Sequence, residues 1–272
     1  MPNHDQIAIV TGGASGIGRA LSEELGHRGA TIVVADIQLA GAERVAAEIT
    51  SRGGNASAAR VDVRQSADVQ ALVDITVTRY GQLDYMFNNA GIGVGGEIRE
   101  LTLEHWSAAI DVNLMGVVHG VTAAYPVMLR QRSGHIVNIA SLAGLISSPF
   151  LAPYATAKGA VVSLTNALRA EGAALGVRAS VVCPGFVDTA IFDSAIGAKF
   201  DKHDFLSKTK LPVMRVADAA LAILHGVERN QGTIVFPGSA RLLWRMTRFS
   251  PWLATFLNGQ MVARLRTVRR SA

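Results

Sequence analysis

A single cysteine, Cys183, stands in the 272 residues. That excludes an internal disulfide and any metal centre built from several thiolates. Lying in the apolar run Ala179-Ser-Val-Val-Cys183, it reads as a buried strand residue. Histidines are few and scattered without ligand spacing, so no metal site is expected. Charge is also sparse. Only 17% of the chain is charged against 49% hydrophobic, a balance that suits a globular protein with a large core. No run of 18 apolar residues occurs, so a transmembrane helix is not expected. The opening Met-Pro-Asn-His-Asp-Gln lacks the basic and apolar segments of a secretory signal, which leaves the cytoplasm as the default location.

Acidic residues are missing altogether from the end of the chain. Residues 241 to 272 hold seven arginines (241, 245, 248, 264, 266, 269 and 270) and no acid. Setting them aside leaves 19 basic and 21 acidic side chains, so the net charge of +5 belongs to a tail and the body is slightly negative. A basic groove for nucleic acid is therefore not expected.

What is present is an alternation of short apolar strands and helical patterns. Strands are expected at Gln6–Thr11, Thr31–Ala35, Ala58–Val63, Leu83–Asn88, His135–Ala140, Arg178–Cys183 and Thr233–Phe236. Helical patterns lie at Gly16–Arg28, Leu39–Arg52, 66–80, 102–132, 153–175 and 216–229. β-branched strands separated by helices predict a doubly wound α/β fold, a parallel seven-stranded sheet with helices on both faces. No Pro- or Ser-rich linker and no repeat interrupts it. The expected organisation is one domain over 1–239 and a basic, amphipathic, helical C-terminal extension over 240–272.

The first strand runs straight into Gly12-Gly-Ala-Ser-Gly-Ile-Gly18 and then a helix. Glycines allow a tight turn and close approach of a pyrophosphate, and a helix N-terminus offers free N–H groups. Asp36 ends the second strand 18 residues later, where a carboxylate can accept hydrogen bonds from a ribose and repel a 2′-phosphate. Tyr154 and Lys158 are spaced to share a helix face. A cation beside a phenol lowers its pKa, making it a proton carrier for an alcohol or carbonyl.

Together these residues resemble the short-chain dehydrogenase/reductase family, over roughly residues 6 to 238. The family's Thr-Gly-x-x-x-Gly-x-Gly is matched by Thr11–Gly18, its Asn-Asn-Ala-Gly by Asn88–Gly91, its Tyr-x-x-x-Lys by Tyr154–Lys158 and its Pro-Gly by Pro184-Gly185. Asn113 and Ser141 occupy its remaining catalytic positions, and Asp62-Val63 its adenine-contacting segment. The resemblance implies a Rossmann-like fold and dinucleotide contacts from Gly12, Ser15, Gly16, Ile17, Gly18, Asp36, Asp62 and Val63. Further contacts are implied from Asn89, Ala90, Gly91, Tyr154, Lys158, Pro184, Gly185, Val187 and Thr189. It implies Tyr154 as general acid/base and Lys158 as its modulator and a ribose ligand. Ser141 would orient the reacting oxygen, and Asn113 would hold a water in a proton relay. Thr189 would bind the carboxamide. NADP-preferring relatives carry a basic residue where Ser15 or Ile37 stands here. Asp36 therefore predicts NAD over NADP, with Arg19 the nearby residue arguing otherwise. A homodimer or homotetramer is implied as well.

Three loops are expected to face the substrate. Ile92–Gly96 reads as small and flexible. Leu142–Ala152 carries Leu145, Ile146, Phe150 and Leu151 without a charge. Phe186–Pro212 carries Phe186, Ile191, Phe192, Phe200, Phe205 and Leu206 among Lys199, Lys202, Lys208 and Lys210. Apolar linings favour a small lipophilic alcohol or ketone. Alternatives are a 3-ketoacyl thioester reductase and a catalytically silent dinucleotide-sensing or structural binding protein. In the tail, Leu253, Leu257, Met261, Leu265 and Val268 recur at helical spacing beside Trp252 and Phe256. Such a segment either packs over the pocket or a neighbouring subunit, which is the favoured expectation, or makes peripheral contact with an anionic membrane.

Overall fold

The computed structural model describes residues 6–191, 195–197 and 213–268, with the side chains of 251, 265, 267 and 268 outside the description. Seven parallel strands form one sheet in the order β3-β2-β1-β4-β5-β6-β7. They are β1 (Ile7–Thr11), β2 (Thr31–Asp36), β3 (Asn55–Arg60), β4 (Tyr85–Asn88), β5 (His135–Ile139), β6 (Arg178–Pro184) and β7 (Thr233–Phe236). The central strands are buried throughout, as both-faced burial of a parallel sheet demands. Helices α1 (Gly16–His27), α2 (Leu39–Ser51) and α7 (Val216–Glu228) contribute Leu21, Leu25, Val45, Ile49, Ile223 and Leu224 to one core layer. On the other face α3 (Ser66–Tyr80), α5 (Gly116–Gln131) and α6 (Ala152–Gly172) supply Val69, Leu72, Ala124, Met128 and Leu168. The expected doubly wound sheet is thus present. Cys183 is buried in β6, as its apolar run indicated.

Some boundaries move. The third strand lies at Asn55–Arg60 rather than Ala58–Val63. Val61 and Val63 are apolar because they cover the core just beyond the strand, not because they belong to it. The helix expected over 102–132 is α4 (Leu103–Ile110), a π-helical turn (Asp111–Met115) and α5. In that turn the Gly116 N–H reaches back to the Asp111 carbonyl, which inserts one extra residue and resets the face that α5 presents. The run Leu103–Gln131 is long and apolar enough to cross a membrane by length and composition. Its Gly116, Val117, Gly120, Ala123 and Ala124 are instead buried within the fold. After β7 the chain continues as α8 (Gly238–Phe249) and α9 (Pro251–Val268).

One buried group makes the fold sensitive to acid. His135 in β5 is 2% exposed, and its Nε2 lies 2.8 Å from Ser180 Oγ, which itself donates to the Gln231 carbonyl at 2.6 Å. Burial, reinforced by the charges of Arg178 and Arg169, pushes its pKa from 6.5 down to about 3. Between those values the unfolded chain binds a proton that the native state refuses, so stability falls as pH falls through this window. The expected loss is up to about 5 kcal/mol at the acid end. Urea unfolding across the window checks it: a His135→Asn variant should show a clearly flatter decline than the wild type.

Candidate active site

β1 and β4 are neighbours, and the chain leaves their carboxyl ends in opposite directions across the sheet. Such a reversal opens a crevice beyond the strands. Here it is a cleft of about 620 Å³. Its floor is the turn between β1 and α1. Gly12 has φ +64, and a Cβ there would come within 2.8 Å of Ala90 Cα, so glycine is required on both conformational and steric grounds. A Cβ on Gly18 would collide with the Gly12 carbonyl oxygen, which explains how α1 starts so close beneath the turn. Thr11 ties this turn to β4. Its hydroxyl donates to the Phe87 carbonyl and accepts from the N–H groups of Asn89 and Ala90. The Asn89 amide returns bonds to the carbonyls of Thr11 and Gly12. Two strand ends and the phosphate-type cradle are thereby fixed as one unit.

Asp36 caps β2 at one end of the cleft. Its carboxylate accepts from the N–H of Ala14 at 3.1 Å and of Gln38 at 3.0 Å. Those bonds aim the group while leaving lone pairs for a ligand. Arg19 does not line the cleft; it is engaged by Glu23 at 2.8 Å and Glu48 at 2.7 Å. Asp62 lines the cleft next to Asp36, paired with Arg64 at 2.6 Å, and this guanidinium holds its carboxyl below the ordinary range.

At the other end stand Ser141, Tyr154 and Lys158. Ser141 follows β5, where its side chain accepts from the Ala143 N–H at 3.2 Å and caps a short 3₁₀ turn. Its hydroxyl also neighbours the Tyr154 side chain and favours the ionised phenol. Lys158 is buried one helical turn beyond Tyr154 on α6, its Nζ 5.8 Å from the tyrosine ring centroid. That Nζ donates to the Ile139 carbonyl at 2.8 Å, so a strand end holds it in place. Burial pushes the phenol of Tyr154 above its ordinary value, partly offset by the neighbouring Ser141 hydroxyl, and pushes Lys158 down to about 8. The shared face of α6 brings the pair together as expected, but desolvation, not the lysine charge, is the larger influence on the phenol.

The cleft gathers Gly12, Ser15, Gly16, Ile17, Asp36, Asp62 and Val63 with Asn89, Ala90 and Gly91. It also gathers Ser141, Tyr154 and Lys158 with Pro184, Gly185, Val187 and Thr189. Gly18 and Asn113 stand behind it. Asn113 is fully buried in the π turn, its Oδ1 accepting from the Ile92 N–H and its Nδ2 donating to the Ile92 carbonyl. Sequence reasoning passed over Thr11 as a site residue, although it opens the glycine motif. Arg64, which lines the cleft beside Asp62, was also not singled out.

The substrate-facing loops differ from expectation. Residues 93–96, expected to be flexible, are buried and tied down. Gly95 donates to Ile196, Ile196 to Gly93, and Gly96 to Phe150. The glycines permit this closeness: a Cβ on Gly93 would strike the Ile191 carbonyl. Leu142 and Leu145 pack against the core cluster around Val161 and Val181. Ile92, Ile191 and Ile196, all within two of the expected loops, do line the cleft. Phe192, Phe200, Phe205, Leu206, Lys199, Lys202, Lys208 and Lys210 lie outside the described residues. Among those described, no cluster of His, Cys, Asp or Glu suited to a metal ion occurs.

The arrangement also contains a pair that no sequence pattern signalled. Glu97, which follows the buried loop, is 2.8 Å from Arg266 of α9 and 2.6 Å from Arg99. These cations hold its carboxyl below the ordinary range, Arg266 contributing most. The C-terminal extension is thus fastened to the segment that follows the buried loop at 93–96.

Fold and cleft together define a dinucleotide-binding α/β oxidoreductase. A model of the short chain dehydrogenase family matches residues 6–198. The chain belongs to that family, whose members use NAD(P). It is 38% identical over 189 residues to a cyclohexanol dehydrogenase of Acinetobacter sp., covering 69% of this chain and 75% of that protein. It is equally 38% identical over 185 residues to a 3-oxoacyl-[acyl-carrier-protein] reductase of Synechocystis sp., covering 68% and 75%. Among solved structures, a short chain dehydrogenase/reductase from Burkholderia phymatum in complex with NAD superposes with a TM-score of 0.83. The identity is 31%, covering 93% of this chain and 96% of that one.

Proposed function

We propose that the protein is an NAD-dependent oxidoreductase that interconverts a lipophilic secondary alcohol and its ketone. The observation that carries the reading is the placement of Ser141, Tyr154 and Lys158 in the same cleft as the glycine cradle and Asp36. The cradle fits a dinucleotide because its glycines leave no room for a Cβ, and Asp36 offers an aimed acceptor to a ribose. The cofactor, when bound, supplies or accepts the hydride. The chain's own part is to position the substrate and move a proton. Tyr154 Oη gives a proton to the carbonyl oxygen in reduction and takes it back in oxidation. Ser141 orients that oxygen and stabilises its developing charge. Lys158 binds the ribose and favours the phenolate when charged. Asn113 acts through its main chain in the π turn, because both side-chain amide atoms are committed to Ile92. Thr189, which lies over Gly16, binds the carboxamide.

Asp36 supports NAD over NADP, and the engagement of Arg19 by two glutamates supports it further. The isoleucines at the substrate end and the similarity to a cyclohexanol dehydrogenase favour a lipophilic substrate. A cytoplasmic homodimer or homotetramer completes the reading. The equal identity to a 3-oxoacyl reductase keeps one second reading, reduction of a 3-ketoacyl thioester. Turnover with NAD⁺ and NADP⁺ against cyclic, steroid-like and acyl-chain alcohols separates them. Oxidation of cyclic alcohols with NAD⁺ is the expected result; NADPH-dependent reduction of ketoacyl thioesters alone would replace the first reading with the second. Absence of turnover across the panel and with the thioester would favour a binding protein.

A further inference from the structure

The outer surface of the C-terminal extension carries apolar side chains that the fold leaves uncovered. On α8, Leu242, Met246 and Phe249 recur at i, i+4 and i+7 and so share one face, and all three are exposed. Phe249, at 85% exposure, leads across Ser250 into α9, where Trp252 and Phe256 are 75% and 50% exposed. Their rings stack at 5.8 Å and 11°, forming one aromatic ledge at the corner between the helices. The opposite sides of the extension are spent on packing. Ala240 is buried and Trp244 packs against the core, while Leu253, Leu257 and Met261 are half-buried. The exposed ridge is therefore not the core stripe of either helix but a second, separate apolar surface.

Charge identifies its occupant. Arg245 and Arg248 are exposed on α8 beside this ridge, and no acidic residue occurs anywhere from 241 onward. An isologous contact with a second copy would set arginine against arginine without a counter-charge. An anionic bilayer supplies what is needed: acyl chains and interfacial carbonyls for Trp252, Phe249 and Leu242, and phosphate groups for the guanidinium forks. We propose that the α8–α9 corner is a docking surface for an anionic phospholipid membrane, with the enzyme lying on the interface rather than crossing it. Arg266 and Glu97 fix where this foot stands. They join α9 to the segment following Gly93–Gly96, whose Ile196 partner lines the cleft. Docking at the corner consequently brings the substrate end of the cleft to a surface on which lipophilic molecules concentrate.

Sedimentation of the full chain with phosphatidylserine–phosphatidylcholine vesicles tests the assignment. The wild type should partition to these vesicles about 10-fold or more over phosphatidylcholine alone, with the excess falling as salt rises. Phe249→Ser/Trp252→Ser and, separately, Arg245→Glu/Arg248→Glu should each lose most of that partition while keeping the wild-type melting temperature and dinucleotide affinity. Quenching of tryptophan emission by acyl-brominated lipid in the wild type, removed by Trp252→Phe, provides a reading that depends on no disruptive variant. Failure of the wild type to bind anionic vesicles, or undiminished binding by both double variants, would overturn the proposal. So would a Phe249→Ser/Trp252→Ser variant that dissociates a wild-type oligomer on sizing, since the ridge would then belong to a second copy. None of these readings depends on substrate turnover, so they stand apart from the proposed reaction.

Discussion

Replacing Tyr154 with phenylalanine is expected to lower turnover by about 10²–10⁴-fold while leaving dinucleotide affinity close to that of the wild type. The substitution keeps the ring that packs on α6 and removes only the oxygen that carries the proton. No other described group in the cleft can stand in for it. Ser141 is a hydroxyl already accepting from Ala143, and Lys158 has one of its three donors on the Ile139 carbonyl, which holds its nitrogen back at the strand end. Cys183, buried behind the cleft, is pushed up to about 12 by burial and stays protonated. The loss should fall on kcat rather than KM, because the proton moves only in the chemical step. A pH profile refines the result. Burial raises the phenol, so in the oxidative direction, where it must act as a base, the wild-type rate should climb with pH through the alkaline range. The variant should not reproduce that climb. Full kcat in Tyr154→Phe, with an unchanged profile, would remove the tyrosine from the mechanism.

The order of strands and helices was readable because the physics behind it is local. β-branched runs such as Thr31–Asp36 and Arg178–Pro184 can only be buried between helix layers, and the glycine turn after β1 allows few backbone paths. The site was readable for the same reason wherever its residues lie at strand ends or within one helical turn. Asp36, Ser141 and the Tyr154–Lys158 pair are of this kind. Errors arose where an apolar residue served something other than its own element. Val61 and Val63 cover the core beyond β3, and Leu145, one apolar residue of a loop expected to face substrate, packs inward beside Leu142. The π turn at Asp111–Met115 escaped a periodicity argument because one inserted residue shifts the helical phase inside an otherwise continuous helical run. The Glu97–Arg266 pair lay furthest from view. Its partners are 169 residues apart, and only the tertiary path of the extension brings them together. In the tail, the helical spacing of Leu253, Leu257 and Met261 signalled the half-buried side of α9. The exposed ridge of Leu242, Met246 and Phe249 on α8 also has helical spacing, in a stretch interleaved with Arg241, Arg245 and Arg248.

Cofactor choice should be reversible through two adjacent positions. In the wild type, catalytic efficiency with NAD⁺ is expected to exceed that with NADP⁺, because a 2′-phosphate would be brought against the carboxylate of Asp36 with Arg19 held away by Glu23 and Glu48. Asp36→Asn removes the charge but keeps the shape and one acceptor for the Ala14 or Gln38 N–H, so the turn should survive. Losing a charged acceptor for the ribose should lower kcat/KM for NAD⁺ by roughly 10- to 100-fold. Adding Ile37→Arg places a cation where Ile37 is half exposed on the cleft wall, and a guanidinium there can form a two-pronged contact with a phosphate. The NADP⁺-to-NAD⁺ ratio of kcat/KM in the double variant should therefore rise by about 10³-fold over wild type. Steady-state kinetics with both cofactors on one substrate measures it, and a melting temperature near wild type separates lost recognition from a damaged turn. A wild type that already favours NADP⁺ would mean that Arg19 can leave its glutamates for the phosphate. A ratio unmoved in the double variant would mean that selection resides outside the end of β2. Either result would take cofactor choice away from Asp36 and leave the proton chemistry of Tyr154 untouched, since the two groups stand at opposite ends of the same cleft.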